Sequence, residues 1–261
     1  MWVAERHRLI LELLGAHQGL TTEKFADALG VSRETVRRDL IELEKAGHLA
    51  RVHGGAVAAA VEQPEPAYAE RTRLRREEKR EIAALAAALP QPGDACLLDA
   101  GSTTLALAEA LAQRQGLTVI TNSVEAARVL ASRGGHDVRL LGGRLDQDVP
   151  ATYGDETIAE VSRFHVEWAF VSPVSFSADG GAMDYVWHEA AMARAMLSRA
   201  ARRVLLADAS KLGQTSRIQV CPASDVDVLV TDSGASAAQL AAFRQAGVPT
   251  ILPASGDATP H

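Results

Sequence analysis

Apolar residues recur at helical spacing from the start of the chain. Val3, Ile10, Leu11 and Leu14 mark one stripe and Gly15 follows as a stop, so a helix is predicted over residues 3–14. A second helix is predicted over 22–29, capped by Thr21 or Thr22, with Phe25, Ala26 and Leu29 facing inward. Gly30-Val31-Ser32 then reads as a tight turn, because glycine can take a positive φ and Ser32 can accept from the free amides of the next helix. That helix, over 33–43, places Val36, Leu40 and Leu43 on one stripe and Arg33, Thr35, Arg37 and Arg38 away from it. Residues 47–57 read as two short strands turned at Gly54-Gly55. The pattern then breaks at Pro64 and Pro66, which predicts an extended linker over 58–69. A helical pattern follows from about residue 68 to 89, its charged first half read as a solvated face. Beyond it, short apolar runs at 95–99, 118–121, 137–141, 167–171, 203–207 and 226–231 alternate with helical stretches at 104–112, 124–132 and 189–200. Strand and helix taking turns predicts parallel strands joined by crossover helices in a domain over 70–254. Residues 255–261 carry no periodicity and read as a disordered tail.

Composition narrows the picture. With 47% hydrophobic residues in 261, the chain can bury the core of one large and one small domain. Its net charge of −6 argues against coating nucleic acid by bulk electrostatics, so any DNA contact must come from a local set of cations. The two cysteines, Cys96 and Cys221, have no His or Cys at ligand spacing, so neither a metal site nor a disulfide framework is expected. The first residues lack the apolar run of a secretory signal and no stretch approaches a membrane span, which gives a soluble, cytoplasmic protein as the expectation.

The chemistry sits in two places. A helix whose first turns expose Arg and hydroxyl side chains can enter the major groove, with Ser32, Arg33, Thr35, Arg37 and Arg38 reading bases or holding phosphates. Arg51, His53 and Gly54 of the wing would reach the DNA backbone. The acidic residues Glu34, Asp39, Glu42 and Glu44 nearly cancel these cations, so the pattern alone leaves a small helical interaction module equally open. In the larger domain, Asp99-Ala100-Gly101-Ser102-Thr103-Thr104 runs from a strand into a helix, and free amides flanked by hydroxyls suit a phosphate. It has neither the Lys of a nucleoside-triphosphate loop nor the glycine spacing of a dinucleotide site. Thr121-Asn122 and Gly142-Gly143 follow the next two predicted strands, where open α/β sheets place ligands. Asp184, Glu189 and Lys211 add carboxylates and an ammonium.

The strings from Arg6 to Ile10, from Leu29 to Leu40, and Arg51-Val52-His53-Gly54-Gly55-Ala56 together closely resemble the deoxyribose-operon repressor (DeoR) family. The resemblance extends through the larger domain and covers nearly the whole chain. It implies an α/β protein, with an amino-terminal winged helix-turn-helix over 1–57 and a mostly parallel sugar-phosphate sensor similar in fold to ribose-5-phosphate isomerase and the coenzyme A transferases. It further implies that Gly101, Ser102, Thr103 and Thr104 hold the phosphate, that Thr121, Asn122, Gly142, Gly143 and Lys211 line the site, and that Asp99 fixes the loop. One segment departs from the family: after Val171 a small Gly/Ala turn is expected, and the chain has Ser172-Pro173-Val174-Ser175-Phe176.

Three functions are compatible with parts of this pattern. The favoured one is a carbohydrate-operon repressor that binds double-stranded operator DNA as a homo-oligomer and is relieved by a sugar phosphate, with no cofactor, metal or catalytic residue. An isomerase would need a base beside the substrate carbon, for which Asp184 or Glu189 are candidates. However, the carboxylate-rich turn of the isomerases is replaced here by Ser172-Pro173-Val174-Ser175. A scaffold or nucleoid protein fits the acidic chain poorly and leaves the phosphate-type loops unexplained.

Overall fold

A computed structural model describes residues 2–17, 19–45, 49–52, 54–58, 66–133 and 135–252. The chain divides into two compact units, Met1–Gln63 and Pro64–His261. The first contains α1 (Val3–His17), β1 (Gly19–Thr21), α2 (Thr22–Leu29), α3 (Arg33–Lys45), β2 (Leu49–Val52) and β3 (Gly55–Ala58). Ile10, Leu14, Phe25, Val36, Leu40, Leu43 and Leu49 form its core, so the predicted stripes are the buried ones. Thr21 caps α2 by accepting from the Lys24 amide, and α2 ends at Gly30, whose φ of 64° is the left-handed value that favours glycine. Two details differ from expectation. Gly15 does not stop α1, since one glycine costs a helix only about 1 kcal/mol. The wing is also three-stranded, because β1 pairs antiparallel with β3 in the order β1-β3-β2; a three-residue strand is too short to show alternation.

The second unit begins with α4 (Tyr68–Arg71) and α5 (Arg76–Ala87). Next come β4 (Ala95–Leu98), α6 (Ser102–Leu111), β5 (Thr118–Thr121), α7 (Val124–Arg133) and β6 (Asp137–Leu140). A short hairpin, β7 (Arg144–Leu145) with β8 (Thr152–Tyr153), leads to α8 (Asp155–Val161) and β9 (Val166–Val171). The remainder is β10 (Ser175–Ser177), β11 (Gly181–Asp184), α9 (Trp187–Leu197), β12 (Ala200–Leu206), β13 (Ile218–Cys221), β14 (Val228–Val230), α10 (Ala237–Gln245) and β15 (Thr250–Leu252). The main sheet runs β15-β14-β12-β9-β4-β5-β6, parallel throughout. A small antiparallel sheet, β10-β11-β13, packs beside it.

Alternate residues of each central strand feed opposite faces, as a two-residue period requires. Leu98, Phe170 and Leu206 join Ile82, Leu107, Leu111 and Leu130 on one face. Leu97, Val171 and Leu205 join Val161, Met192, Met196 and Phe243 on the other. Burial pushes the Cys96 thiol up to about 12 and the Cys221 thiol up to about 11, so both are poor nucleophiles near neutral pH.

The predicted helix over 68–89 is broken in two. Arg75 adopts a left-handed φ of 50°, and the Lys79 ammonium turns inward to donate to the carbonyls of Leu74, at 2.8 Å, and Arg71. A cation that satisfies the carbonyl of Arg71, the last residue of α4, and that of Leu74 in the connecting turn stabilises the break where no Gly or Pro announces it. Tyr68, within the linker bounds of 58–69 but also the first residue of the predicted helical pattern, begins α4, is 5% exposed and donates its hydroxyl to Glu125 at 2.6 Å. Residues 255–261 lie outside the described residues. Among the described residues, no helix is long and apolar enough to cross a membrane.

Candidate functional site

In the amino-terminal unit, Ser32 caps α3: its hydroxyl accepts from the Thr35 amide at 3.1 Å and meets the Thr35 hydroxyl at 2.8 Å. Asp39, counted from sequence among the charges that cancel the basic face, points into the domain and is 3% exposed. Arg6 holds it with two hydrogen bonds of 2.8 Å, and His7 stands at 3.3 Å. Removing that carboxylate from the surface tips the local balance toward cations. Arg33 pairs with Glu23, Arg38 with Glu34 at 3.4 Å, and Arg51 with Glu44 at 3.6 Å. Such exposed pairs are worth under about 1 kcal/mol each, so a phosphate can displace the glutamate. Arg37 is exposed and, among the described residues, has no ion pair or hydrogen bond. It borders a cleft of about 470 Å³ that separates the start of α3 from the wing turn at Gly54 and Gly55. His53 lies outside the described residues.

The sensor unit is organised by its strand order. From β4 the chain steps outward to β5 and β6, then returns to β9 on the other side of β4 and steps outward again. The carboxyl ends of β4 and β9 therefore flank a switch point, where two loops diverge and leave a crevice. One of those loops is Asp99-Ala100-Gly101-Ser102, opening α6; the other is Ser172-Pro173-Val174. Gly101 is extended, and a Cβ there would meet the Thr104 hydroxyl at 3.3 Å and Ser172 at 3.8 Å, so the two loops are in near contact. No side chain caps α6, which leaves its first amides open. Ser102 is partly exposed and shares a cleft of about 290 Å³ with Arg73, Arg76, Lys79 and Arg80. The run of charge at 71–80, read from sequence as a solvated face, thus supplies cations beside this loop.

The other expected residues divide into those that hold the loops and those that face the site. Thr103 and Thr104 are buried, and the Thr104 hydroxyl donates to the Gly101 carbonyl at 3.0 Å. Thr121 accepts from the Ser123 amide at 3.0 Å. Gly142 gives its amide to Glu160 at 2.8 Å, and Gly143, at φ 138°, packs against the Thr157 hydroxyl. These groups shape turns. Asn122 is fully buried and donates to the Thr152 carbonyl at 3.2 Å, while its own side-chain oxygen has no partner. Lys211 reaches across the crevice to the Pro173 carbonyl at 2.7 Å, so the unusual 172–176 segment is held by the lysine expected to line the site. Asp184 accepts from the Val174 amide at 3.0 Å in the same segment.

Asp99, Asp184 and Glu189 come near one another at this end of the sheet. Burial, and then the charge of Asp184, hold the Asp99 carboxyl well above the usual carboxylate range. A carboxyl whose folded pKa exceeds its unfolded one stabilises the protein fully only below the usual range, and that stability is lost as pH rises through the folded value. Asp99→Asn should therefore raise the melting temperature of the sensor relative to the parent, by an amount that grows from pH 4 to pH 8. A difference that stays constant over that range would show that Asp99 does not carry this buried charge. Sequence reasoning missed Tyr153 and His188, whose rings meet edge to face at 4.6 Å, and Arg71, whose charge acts on Asp99. Nothing periodic marks Tyr153, which sits in a two-residue strand.

The model of the DeoR-like helix-turn-helix domain matches residues 6–61, and that of the DeoR C terminal sensor domain matches residues 74–233. The HTH-type transcriptional repressor GlcR of Bacillus subtilis is 38% identical over 232 residues, 89% of each chain. The glycerol-3-phosphate regulon repressor of Haemophilus influenzae is 31% identical and covers 87% of this chain and 88% of its own. Ribose 5 phosphate isomerase A from Neisseria gonorrhoeae overlaps loosely, with a TM-score of 0.38 and 17% identity over 51% of this chain and 52% of its own. Regulators, not enzymes, are the relatives that match along both units, and the chain belongs to the DeoR family of helix-turn-helix transcriptional regulators.

Proposed function

We propose that this DNA-binding repressor controls a carbohydrate-catabolism operon in the cytoplasm and leaves its operator when a phosphorylated sugar occupies the sensor. The observation that carries this reading is the placement of Ser102: it opens α6 at the switch point and shares a cleft with Arg73, Arg76 and Arg80, and with Glu109. Uncapped amides, a hydroxyl and cations together suit a phosphate. The printed name of one relative, a glycerol-3-phosphate regulon repressor, supports the same ligand class. Gly101, Ser102 and Asn122 would contact the effector, with Thr103, Thr104, Thr121, Gly142 and Gly143 shaping the turns and Lys211 bracing the far wall.

One recognition helix reads only a half-site, so the operator-bound form is a symmetric homo-oligomer. Ser32, Arg33, Thr35, Arg37 and Arg38 would face the groove, and Arg51 and Gly54 the backbone. Release requires that the effector bind the two conformations with different affinity.

Thermal shift and operator binding against a panel of sugar phosphates test the reading. A bound effector should raise the melting temperature of the wild type and weaken its hold on the operator, and the unphosphorylated sugar should do neither. Ser102→Asp puts a carboxylate where the phosphate would sit, and should weaken effector binding roughly tenfold or more by like-charge repulsion. An unaltered response in that variant would remove the loop from the site.

A further inference from the structure

Tyr153 is 3% exposed, yet its hydroxyl has no hydrogen-bond partner. Its position is fixed. The neighbouring Thr152 exchanges hydrogen bonds with Asn122 at 2.9 and 3.2 Å and donates its hydroxyl to the Leu141 carbonyl at 2.8 Å, which ties Tyr153 to the loops ending β5 and β6. His188 packs edge-on against its ring and pairs with Asp146 at 3.4 Å. Burial, and then the charges of Asp99, Glu189, Asp146 and Asp184, oppose ionisation of the Tyr153 hydroxyl. A buried hydroxyl beside carboxyl groups and bonded to none of them is a rare arrangement in a folded protein, and a ligand that completes its bonds is one reason for it to persist.

The surrounding chemistry defines that ligand. The Tyr153 hydroxyl can donate or accept, whereas an ionised carboxylate such as Asp146 only accepts, so a ligand that bonds both must bring a donor. Among the described residues, no three His, Cys, Asp or Glu side chains are placed to hold a metal ion. The ligand class proposed for the sensor carries such donors, as the hydroxyls of a sugar or a protonated amine on one. We propose that Tyr153 reads this donor-rich end of the effector, its hydroxyl bonding a group that the neighbouring carboxylates also accept from. The inference rests on the reading of the sensor as a sugar-phosphate pocket and adds the residue that recognises the sugar.

The test compares the full-length wild type with Tyr153→Phe. Losing an unpartnered buried hydroxyl relieves a cost, so the empty variant should melt no lower than the wild type. Its affinity for the sugar phosphate that the wild type binds should fall about tenfold, the worth of one hydrogen bond to a polar ligand. Hexose 6-phosphates and 2-amino-2-deoxyhexose 6-phosphates, tried in parallel, separate hydroxyl from amine as the donor. Inorganic phosphate has no donor-rich end and should bind both proteins alike. Equal affinity of both proteins for the sugar phosphates would overturn the role of Tyr153 while leaving the pocket standing. A parallel loss of phosphate binding would make Tyr153 structural and overturn it as well. If no sugar phosphate shifts the wild type, the pocket reading itself fails.

Discussion

Gly55→Ala should cost the amino-terminal unit about 3 kcal/mol, the upper range for forcing extra volume into a packed site. A Cβ at this position would stand 2.2 Å from the Leu20 carbonyl oxygen and 2.8 Å from the Thr21 Cα. Both are backbone atoms and neither can swing aside, so the pairing of Thr21 with Gly55 that joins β1 to β3 would have to open. A unit of this size has only a few kcal/mol of stability to lose. Operator binding should fall with it. The neighbouring Gly54 provides the contrast: at φ 86° it needs the left-handed region, but nothing lies within 4 Å of a Cβ there. Gly54→Asn should cost under about 1 kcal/mol, because Asn tolerates that conformation. Calorimetry of the two variants would settle the matter, and a first transition unchanged by Gly55→Ala would mean that β1 does not hold the wing.

Arg37→Ala should weaken operator binding by roughly 1 to 3 kcal/mol, about 5- to 150-fold, if the guanidinium pairs with a base. Two features favour this residue over its neighbours. Arg33 and Arg38 must leave glutamate partners before they reach DNA, whereas Arg37 is exposed and without a partner among the described residues. It also borders the cleft that separates α3 from the wing. Binding measured on operator and on unrelated DNA separates the roles: loss confined to the operator assigns Arg37 to a base, and equal loss on both assigns it to phosphate. No loss on either would take it off the DNA face.

Elements with a full period are legible in the sequence. α2 matches its predicted bounds, and β5 its predicted run, because several residues of one repeat fall in each. β1, β8 and β10 were not legible, since two or three residues cannot display a repeat. The break between α4 and α5 depends on where the Lys79 side chain goes, which no local pattern encodes. Asp39 was misjudged for the same reason: its partner Arg6 is 33 residues away. In the sensor, the loops ending β4, β5 and β6 could be placed from sequence. The crevice between β4 and β9 could not, because it follows from the order of strands across the sheet. Tyr153 was hidden likewise, and the same order brings together Asp99, Asp184 and Glu189, which the sequence could name only one by one.

The same strand order governs how the molecule is made. Ala95, on β4, donates its amide to Glu167 on β9 at 2.8 Å across 72 residues of chain. As the polypeptide leaves the ribosome, β4, β5 and β6 emerge with one edge of their sheet unpaired and cannot close the core until β9 follows. Contacts between distant segments form slowly, and unpaired edges invite aggregation. The amino-terminal unit, whose packed segments are close in sequence, emerges first and can fold while the rest is still being synthesised. A newly made chain can therefore acquire its DNA-reading half before the half that responds to a ligand.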